Sequence, residues 1–401
     1  MNPHSSKSPF STSELLPQEE MLEVKRSKGQ LFVGLPKETS YQEKRVCLTP
    51  DAVNALTQNG HRVLIESGAG LQANFSDKDY SEAGGEVTRD TRKVFSCPMI
   101  LKVAPPSEKE LEYIKPQAIL ISALQLKTRN KSYCETLAKK RITALAFEFI
   151  KDQFGGFPAV RALSEIAGTS SILIAAEYLS NMSGGNGLMF GNISGVPPVE
   201  IVVLGAGTVG EFATRSALGL GASVKVFDSS LTKLRDLQSN MSRPLYTSTL
   251  QPKILLKAIK RADVVIGAVR GKNRAPIIIT EEMTKKMKKG AVIIDISIDM
   301  GGCIETSTMT THDDPVIEKH GVIHYCVPNI PSRYSRTASL SLSNIFTPYL
   351  LQIGEEGGLE PALRIDSGLR NGLYFYHGIL TNKSVAEWFD LNHRDPNLLI
   401  F

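Results

Sequence analysis

The residues with the clearest chemical purpose are Gly205-Ala206-Gly207-Thr208-Val209-Gly210 and Asp228, which lies 18 positions beyond Gly210. The short apolar run 201–204 precedes them and reads as a strand. A helical stretch follows, then a second strand that ends in Asp228. Each glycine of this G-x-G-x-x-G has its own reason. Gly205 permits the tight turn off the strand, Gly207 lets a pyrophosphate approach the backbone, and Gly210 lets the helix pack close to the sheet. The helix then aims its unpaired N–H groups at the phosphates. Asp228 is placed to accept both hydroxyls of an adenosine ribose. A glycine-rich turn alone also occurs in β–α units that bind nothing. Here the strand, the helix and the acid at the right distance point to a dinucleotide. Ser229, Ser230, Leu231 and Thr232 follow Asp228, and no arginine occurs before Arg235, so NAD(H) is expected over NADP(H).

These groups need a scaffold, and the chain supplies an alternation of strands and helices. Strands are expected at 31–35, 61–67, 99–103, 118–123 and 143–147, with helices from Pro50 and over 77–83, 91–95 and 131–140. Thr49 is the expected N-cap of the helix that Pro50 begins. FGGFP at 154–158 reads as a boundary, and a long helix follows over 159–181. Its small residues Ala167, Gly168, Ser170 and Ser171 suit close packing between domains. Strands are expected again at 263–269, 291–297 and 321–327, and an apolar helical stretch lies within 334–354. His324 and Cys326 alternate on one strand and are expected to pack. The order gives an α/β fold with parallel sheets. Two domains crossed twice by the chain would place a cleft at the carboxyl ends of both sheets. The segments are an extension at 1–29, a substrate domain over 30–157 and 336–401, and a nucleotide domain over 158–335. The first 12 residues are expected to be a disordered tail, with a short helix possible over 12–28.

Composition narrows the class. The chain has 46 Lys and Arg against 41 Asp and Glu, a surplus of five without any basic tract, so nucleic acid is not implied. Five scattered cysteines with no C-x-x-C argue against a disulfide framework and a zinc site, and for a reducing compartment. No metal is expected. No uninterrupted apolar run approaches the roughly 18 residues of a membrane span. The N-terminus lacks the plan of a secretory signal, so a cytoplasmic protein is expected.

VGLPKE, EKRVCLTP, NGHRVLIESGAG, LSEIAG, VLGAGTVG, IDISIDMGG and YCVPN occur in that order. From about residue 31 to 385 the chain resembles the alanine dehydrogenase and NAD(P) transhydrogenase α-chain family. The resemblance implies two Rossmann-like domains, the nucleotide-binding one inserted into a discontinuous substrate domain. It implies NAD, and for the soluble alanine dehydrogenases a homo-oligomer, usually a hexamer. The expected reaction is oxidative deamination of L-alanine, or of a similar small amino acid, to the 2-oxo acid, ammonia and NADH. The resemblance assigns Arg45 to the substrate carboxylate, which its guanidinium can grip with two parallel hydrogen bonds. It places Asp299 in the active site and Asn329 near nicotinamide and substrate. Ser164 opens SEIAG and is a candidate for the cofactor phosphates.

Two positions depart from the family pattern. The family's K-x-K-E-P stretch reads Lys102-Val103-Ala104-Pro105-Pro106 here, so its second, substrate-binding lysine is Ala104. Its L-H-L reads Leu124-Gln125-Leu126, so the acid/base histidine is Gln125. If the strand continues through 104, Lys102 lies on the same face about 7 Å away and partly replaces the lost charge. Gln125 would then donate a hydrogen bond to the substrate, and Asp299 or a water would move the proton. Hydride exchange between nucleotides, as in a transhydrogenase, and a non-catalytic NAD(H)-binding protein are the two other readings.

Overall fold

The computed structural model describes residues 29–271 and 274–400. The expectations for residues 1–28 lie outside these. Among the described residues, fifteen strands form two sheets. The first contains β1 (Phe32–Leu35), β2 (Arg62–Glu66), β3 (Glu86–Thr88), β4 (Met99–Leu101), β5 (Ile119–Ser122) and β6 (Thr143–Ala146). The second contains β7 (Glu200–Leu204), β8 (Ser223–Phe227), β9 (Tyr246–Ser248), β10 (Val264–Gly267), β11 (Val292–Asp295), β12 (Val316–Lys319) and β13 (Val322–Tyr325). The chain then returns to the first sheet with β14 (Leu373–Tyr376) and β15 (Ile379–Leu380).

The first sheet runs β15-β14-β6-β5-β4-β1-β2-β3 and the second β12-β13-β11-β10-β7-β8-β9. β1 to β6 are parallel, and β14 and β15 add an antiparallel edge. In the second sheet only β12 runs against its neighbour. Each sheet starts in its middle, grows one way for two strands, then restarts on the other side of its first strand. The switch points lie between β1 and β4 and between β7 and β10, and ligands bind beyond the carboxyl ends of strands at such points.

The central strands are apolar without alternation because both faces are covered. Ile201 and Val203 pack with the helices Pro158–Leu179 and Thr208–Gly219, whereas Val202 and Leu204 pack with Leu255, Ala258 and Ile259 on the other side. Each fully buried Val, Ile or Leu stabilises the fold by about 1.5–3 kcal/mol relative to exposure. Helix Ser335–Glu355 crosses back and covers the first sheet with Leu342, Phe346, Leu350 and Ile353. Helix Pro158–Leu179 is long and apolar enough to cross a membrane by length and composition, although Arg161, Glu165 and Glu177 interrupt its apolar run. It is nevertheless a packed helix of the fold, with Ile172, Ile174, Ala175 and Leu179 in the core. A Cβ on its Gly168 would stand 2.3 Å from the Val209 carbonyl oxygen, so the small residues serve contact with the helix after the glycine turn.

Thr49 is the N-cap residue of the helix Pro50–Gln58, as expected, but its hydroxyl pairs with Ser343 Oγ at 3.1 Å and makes no capping hydrogen bond. One local expectation needs correction. β4 stops at Leu101, two residues short of the expected end, as the chain approaches Pro105-Pro106.

His324 and Cys326 are fully buried, as expected. His324 Nδ1 lies 2.9 Å from the Val322 carbonyl and must donate to it, so Nε2 accepts from Thr306 Oγ1 at 2.8 Å. Burial lowers the His324 pKa from 6.5 to about 4. Between these values the unfolded chain binds more protons than the folded one. The contribution is therefore complete above pH 6.5 and is lost as pH falls toward 4, by up to about 3 kcal/mol. Urea midpoints measured from pH 7 to pH 4.5 should fall more steeply for the natural protein than for His324→Leu. Parallel curves would show that His324 does not drive the acid limb.

Candidate active site

Most of the expected site residues follow the carboxyl end of a parallel strand. Arg45 lies beyond β1, Gln125 beyond β5, the glycine turn beyond β7, Asp228 beyond β8, Asp299 beyond β11 and Asn329 beyond β13. Ser164 is the exception, half-buried near the start of the helix Pro158–Leu179.

The three glycines of the turn meet different surroundings. Gly205 has φ +103°, and a Cβ there would stand 2.4 Å from the Ala268 carbonyl oxygen. At Gly210 a Cβ would stand 1.9 Å from the Gly205 oxygen. At Gly207 a Cβ would meet nothing within 4 Å, and φ is an ordinary −81°. Neither conformation nor packing asks for glycine there. The open side faces the start of the helix Thr208–Gly219, which has no side-chain cap. Asp228 is buried and accepts from Ala206 N at 2.8 Å and Ser230 N at 2.7 Å, holding the turn. A carboxylate has about four acceptor positions, so capacity for ribose hydroxyls remains. Gly205, Ala206, Gly207, Thr208, Val209, Gly210 and Asp228 therefore fit a dinucleotide.

Arg45 is 6% exposed and Glu43 4%. Nε and Nη2 of Arg45 donate to the two oxygens of Glu43 at 2.7 and 2.6 Å. Burial pushes the Glu43 carboxyl up, but the Arg45 charge and the hydrogen bonds from Arg45 and Asn329 hold it below the ordinary range. Asn329 Nδ2 donates to Glu43 Oε2 at 3.1 Å, so Glu43 ties the mouth of the first sheet to that of the second. Asn329 sits at φ +56°, a left-handed conformation that asparagine tolerates well. Three serines hold the backbone around Arg45. Ser332 Oγ accepts from Lys44 N at 2.9 Å, Ser339 Oγ from Val46 N at 2.9 Å and Ser343 Oγ from Thr49 N at 3.1 Å.

Asp299 is exposed on the 3-10 turn Ile296–Met300. Gly301 and Gly302 close that turn with φ of +89° and +76°. The buried Asp295 carboxylate accepts from the amides of Ser297, Cys303 and Ile304 at 3.1, 3.0 and 3.3 Å. It fixes the loop that carries Asp299, and the sequence reading passed over it.

The family's N-terminal domain profile, described as alanine dehydrogenase/PNT, matches residues 34–167, and its C-terminal profile matches 171–383. The chain belongs to the alanine dehydrogenase/PNT family. Alanine dehydrogenase 2 of Staphylococcus aureus strain USA300 is 38% identical over 364 residues, covering 90% of this chain and 97% of that one. A solved L-alanine dehydrogenase superposes with a TM-score of 0.84 at 33% identity, covering 90% of this chain and 99% of the other. A transhydrogenase from Sinorhizobium meliloti has a TM-score of 0.76 at 24% identity, over 88% of this chain and 99% of its own, and shares the fold.

Within this alanine dehydrogenase/PNT member, the two departures sit in distinct settings. Lys102 is fully buried, and its Nζ lies 3.3 Å from Glu38 Oε2 and 3.2 Å from Glu110 Oε1. The reach of Lys102 toward position 104 was premised on a strand continuing to 104, which it does not. Its charge is committed to Glu38 and Glu110. One ammonium between two carboxylates leaves one negative charge over. Burial pushes the Glu38 carboxyl up to about 7 against the pull of Lys102. Glu38 also accepts from Val103 N at 2.6 Å and Ala104 N at 3.3 Å. Gln125 is exposed at φ +47°, and its amide lies 3.4 Å from Glu148 Oε1.

Proposed function

We propose that this protein is an NAD-dependent amino-acid dehydrogenase that oxidatively deaminates L-alanine or a similarly small amino acid. The observation that carries the reading is the Arg45–Glu43–Asn329 bridge between the mouths of the two sheets, on the edge that also bears the open-sided glycine turn. The name shared by the relatives supports the same substrate.

NAD, when bound, supplies the hydride acceptor. Gly207 and the first amides of the helix Thr208–Gly219 seat its pyrophosphate, and Asp228 accepts from the ribose. Thr208 and Val209 lead into that helix, and Ser164 is the remaining candidate for the phosphates. A guanidinium has five N–H bonds, of which Glu43 takes two of Arg45's side-chain N–H bonds. The others grip the substrate carboxylate, while Glu43 keeps the fork in plane. Asn329 orients the substrate beside nicotinamide, and Asp299 takes part in proton movement from the second sheet. Gln125 offers an amide where the resemblance places a histidine. Lys102 acts indirectly, by holding Glu38 under the 103–104 backbone. Ala104 and Gln125 favour a second reading, a non-catalytic NAD(H)-binding protein.

The test is NADH formation from a panel of L-amino acids at alkaline pH, with NAD and NADP supplied separately. Small neutral amino acids with NAD should give product. NADH binding without oxidation of any amino acid would leave the second reading standing. Reduction of a nicotinamide analogue by NADH, with no amino acid used, would favour nucleotide exchange.

Arg45→Lys keeps the charge and loses the fork. A charged hydrogen bond is worth about 1.5–3 kcal/mol, so the amino-acid KM should rise roughly 10–100-fold. The NADH Kd should stay within about twofold. Equal changes in both would remove Arg45 from the substrate carboxylate.

A further inference from the structure

We propose that Glu148 is the proton carrier of the first sheet, a further catalytic residue of the amino-acid dehydrogenase reading on which this rests. Glu148 follows β6, the strand beside β5, and Gln125 follows β5. Glu148 Oε1 accepts from Leu124 N at 2.8 Å and from Gln125 N at 3.4 Å. The carboxyl is therefore anchored by one oxygen at the very backbone where Gln125 replaces an acid/base. Its other oxygen, Oε2, is buried and has no hydrogen-bond partner among the described residues. A buried polar atom left unpartnered destabilises the fold, a cost that a reacting ligand would remove.

The neighbours do not neutralise it. Tyr133 and Tyr374, whose hydroxyls are 3.3 Å apart, feel the Glu148 charge from the helix Lys131–Lys139 and from β14. Arg129 stands over the Tyr133 ring instead. No described cation forms an ion pair with Glu148. Burial raises its carboxyl above the ordinary range, which suits a group that must both take and give a proton. Glu38 is less suited, because its two oxygens already serve two amides and Lys102. Gln125 has no proton to exchange near neutral pH.

Glu148 acts on the imino acid left by hydride removal. Its carboxylate takes a proton from water as the water oxygen bonds to the imino carbon and the C=N pair moves to nitrogen. The resulting acid returns that proton to the nitrogen. The C–N bond then breaks with its electrons leaving on ammonia. The hydroxyl O–H pair becomes the C=O bond, and the hydroxyl proton leaves with ammonia as ammonium.

The experiment compares the natural protein, Glu148→Gln and Glu148→Ala, with the amino acid that the panel identifies. Glutamine keeps an acceptor for the Leu124 and Gln125 amides, so folding and NADH Kd should change by less than about twofold. Turnover of Glu148→Gln should fall roughly 10²–10⁴-fold. The carboxyl limb of the pH–rate profile should vanish, and formate should restore turnover to Glu148→Ala. Turnover within about threefold of the natural protein in Glu148→Gln, or persistence of the limb, overturns Glu148 as proton carrier and leaves the dehydrogenase reading intact. No turnover by the natural protein with any amino acid overturns that reading and this assignment together.

Discussion

Gly207→Val is expected to fold normally and to lose NADH binding. The three glycines of one motif separate cleanly in their surroundings. A Cβ at Gly210 would stand 1.9 Å from a backbone oxygen, and one at Gly205 would stand 2.4 Å from another, in a left-handed conformation besides. Substitution at either should damage the fold. At Gly207 the added Cβ meets no atom within 4 Å, and φ of −81° is open to any residue. The valine side chain enters only the space that the pyrophosphate needs. Losing one or two charge-assisted hydrogen bonds at about 1.5–3 kcal/mol each weakens binding roughly a hundredfold or more. NADH titration by fluorescence, beside a thermal unfolding curve, measures both halves. A stable Gly207→Val that binds NADH within about threefold of the natural protein would remove the cofactor from this turn.

That contrast shows which parts of the fold were readable from sequence. The glycine turn, its flanking strands and Asp228 lie within one short stretch, so local spacing describes them. The central strands were readable because burial on both faces leaves unbroken apolar runs. The short edge strands β3, β9 and β12 were missed. They carry three or four half-exposed residues each, too few to show any period. The hairpin of β14 and β15 had a signal that went unused, His377-Gly378 between two apolar runs, with positive φ at both. Ser107 and Glu110 likewise form a capping box on the short helix Glu108–Tyr113.

The site was less readable because its supports come from far along the chain. Arg45 could be named, but the three serines that hold its loop sit 288 to 294 positions from the amides they bind. Two of them lie in a stretch that reads simply as apolar helix. Glu43 looked like one more charge in a polar loop, yet it joins Arg45 to Asn329. Lys102 shows the converse. Its partner Glu110 lies on the helix that was missed, so the sequence left the lysine with no reason to turn inward.

Ala104→Lys combined with Gln125→His is expected to raise kcat/KM for alanine with NAD by roughly 10²–10⁴-fold, the usual worth of one acid/base group. The backbone is prepared for both changes. Histidine is among the residues that accept positive φ, so the +47° at position 125 gains no strain. The Glu148 bond uses the position-125 amide and survives the change of side chain. At position 104 the amide already rests on Glu38 Oε2. A lysine there sets a second cation beside that carboxyl, which burial holds at about 7, and should draw it back down. The charge left over between Lys102, Glu38 and Glu110 would then be balanced. The natural protein should oxidise alanine slowly or prefer another amino acid, without a step near the unperturbed histidine pKa of about 6.5. The double variant should acquire that step. Profiles of kcat/KM from pH 5 to 10 decide the matter. Efficient alanine oxidation by the natural protein with a limb near 6.5, or no gain in the double variant, would show that these two substitutions do not redirect the chemistry.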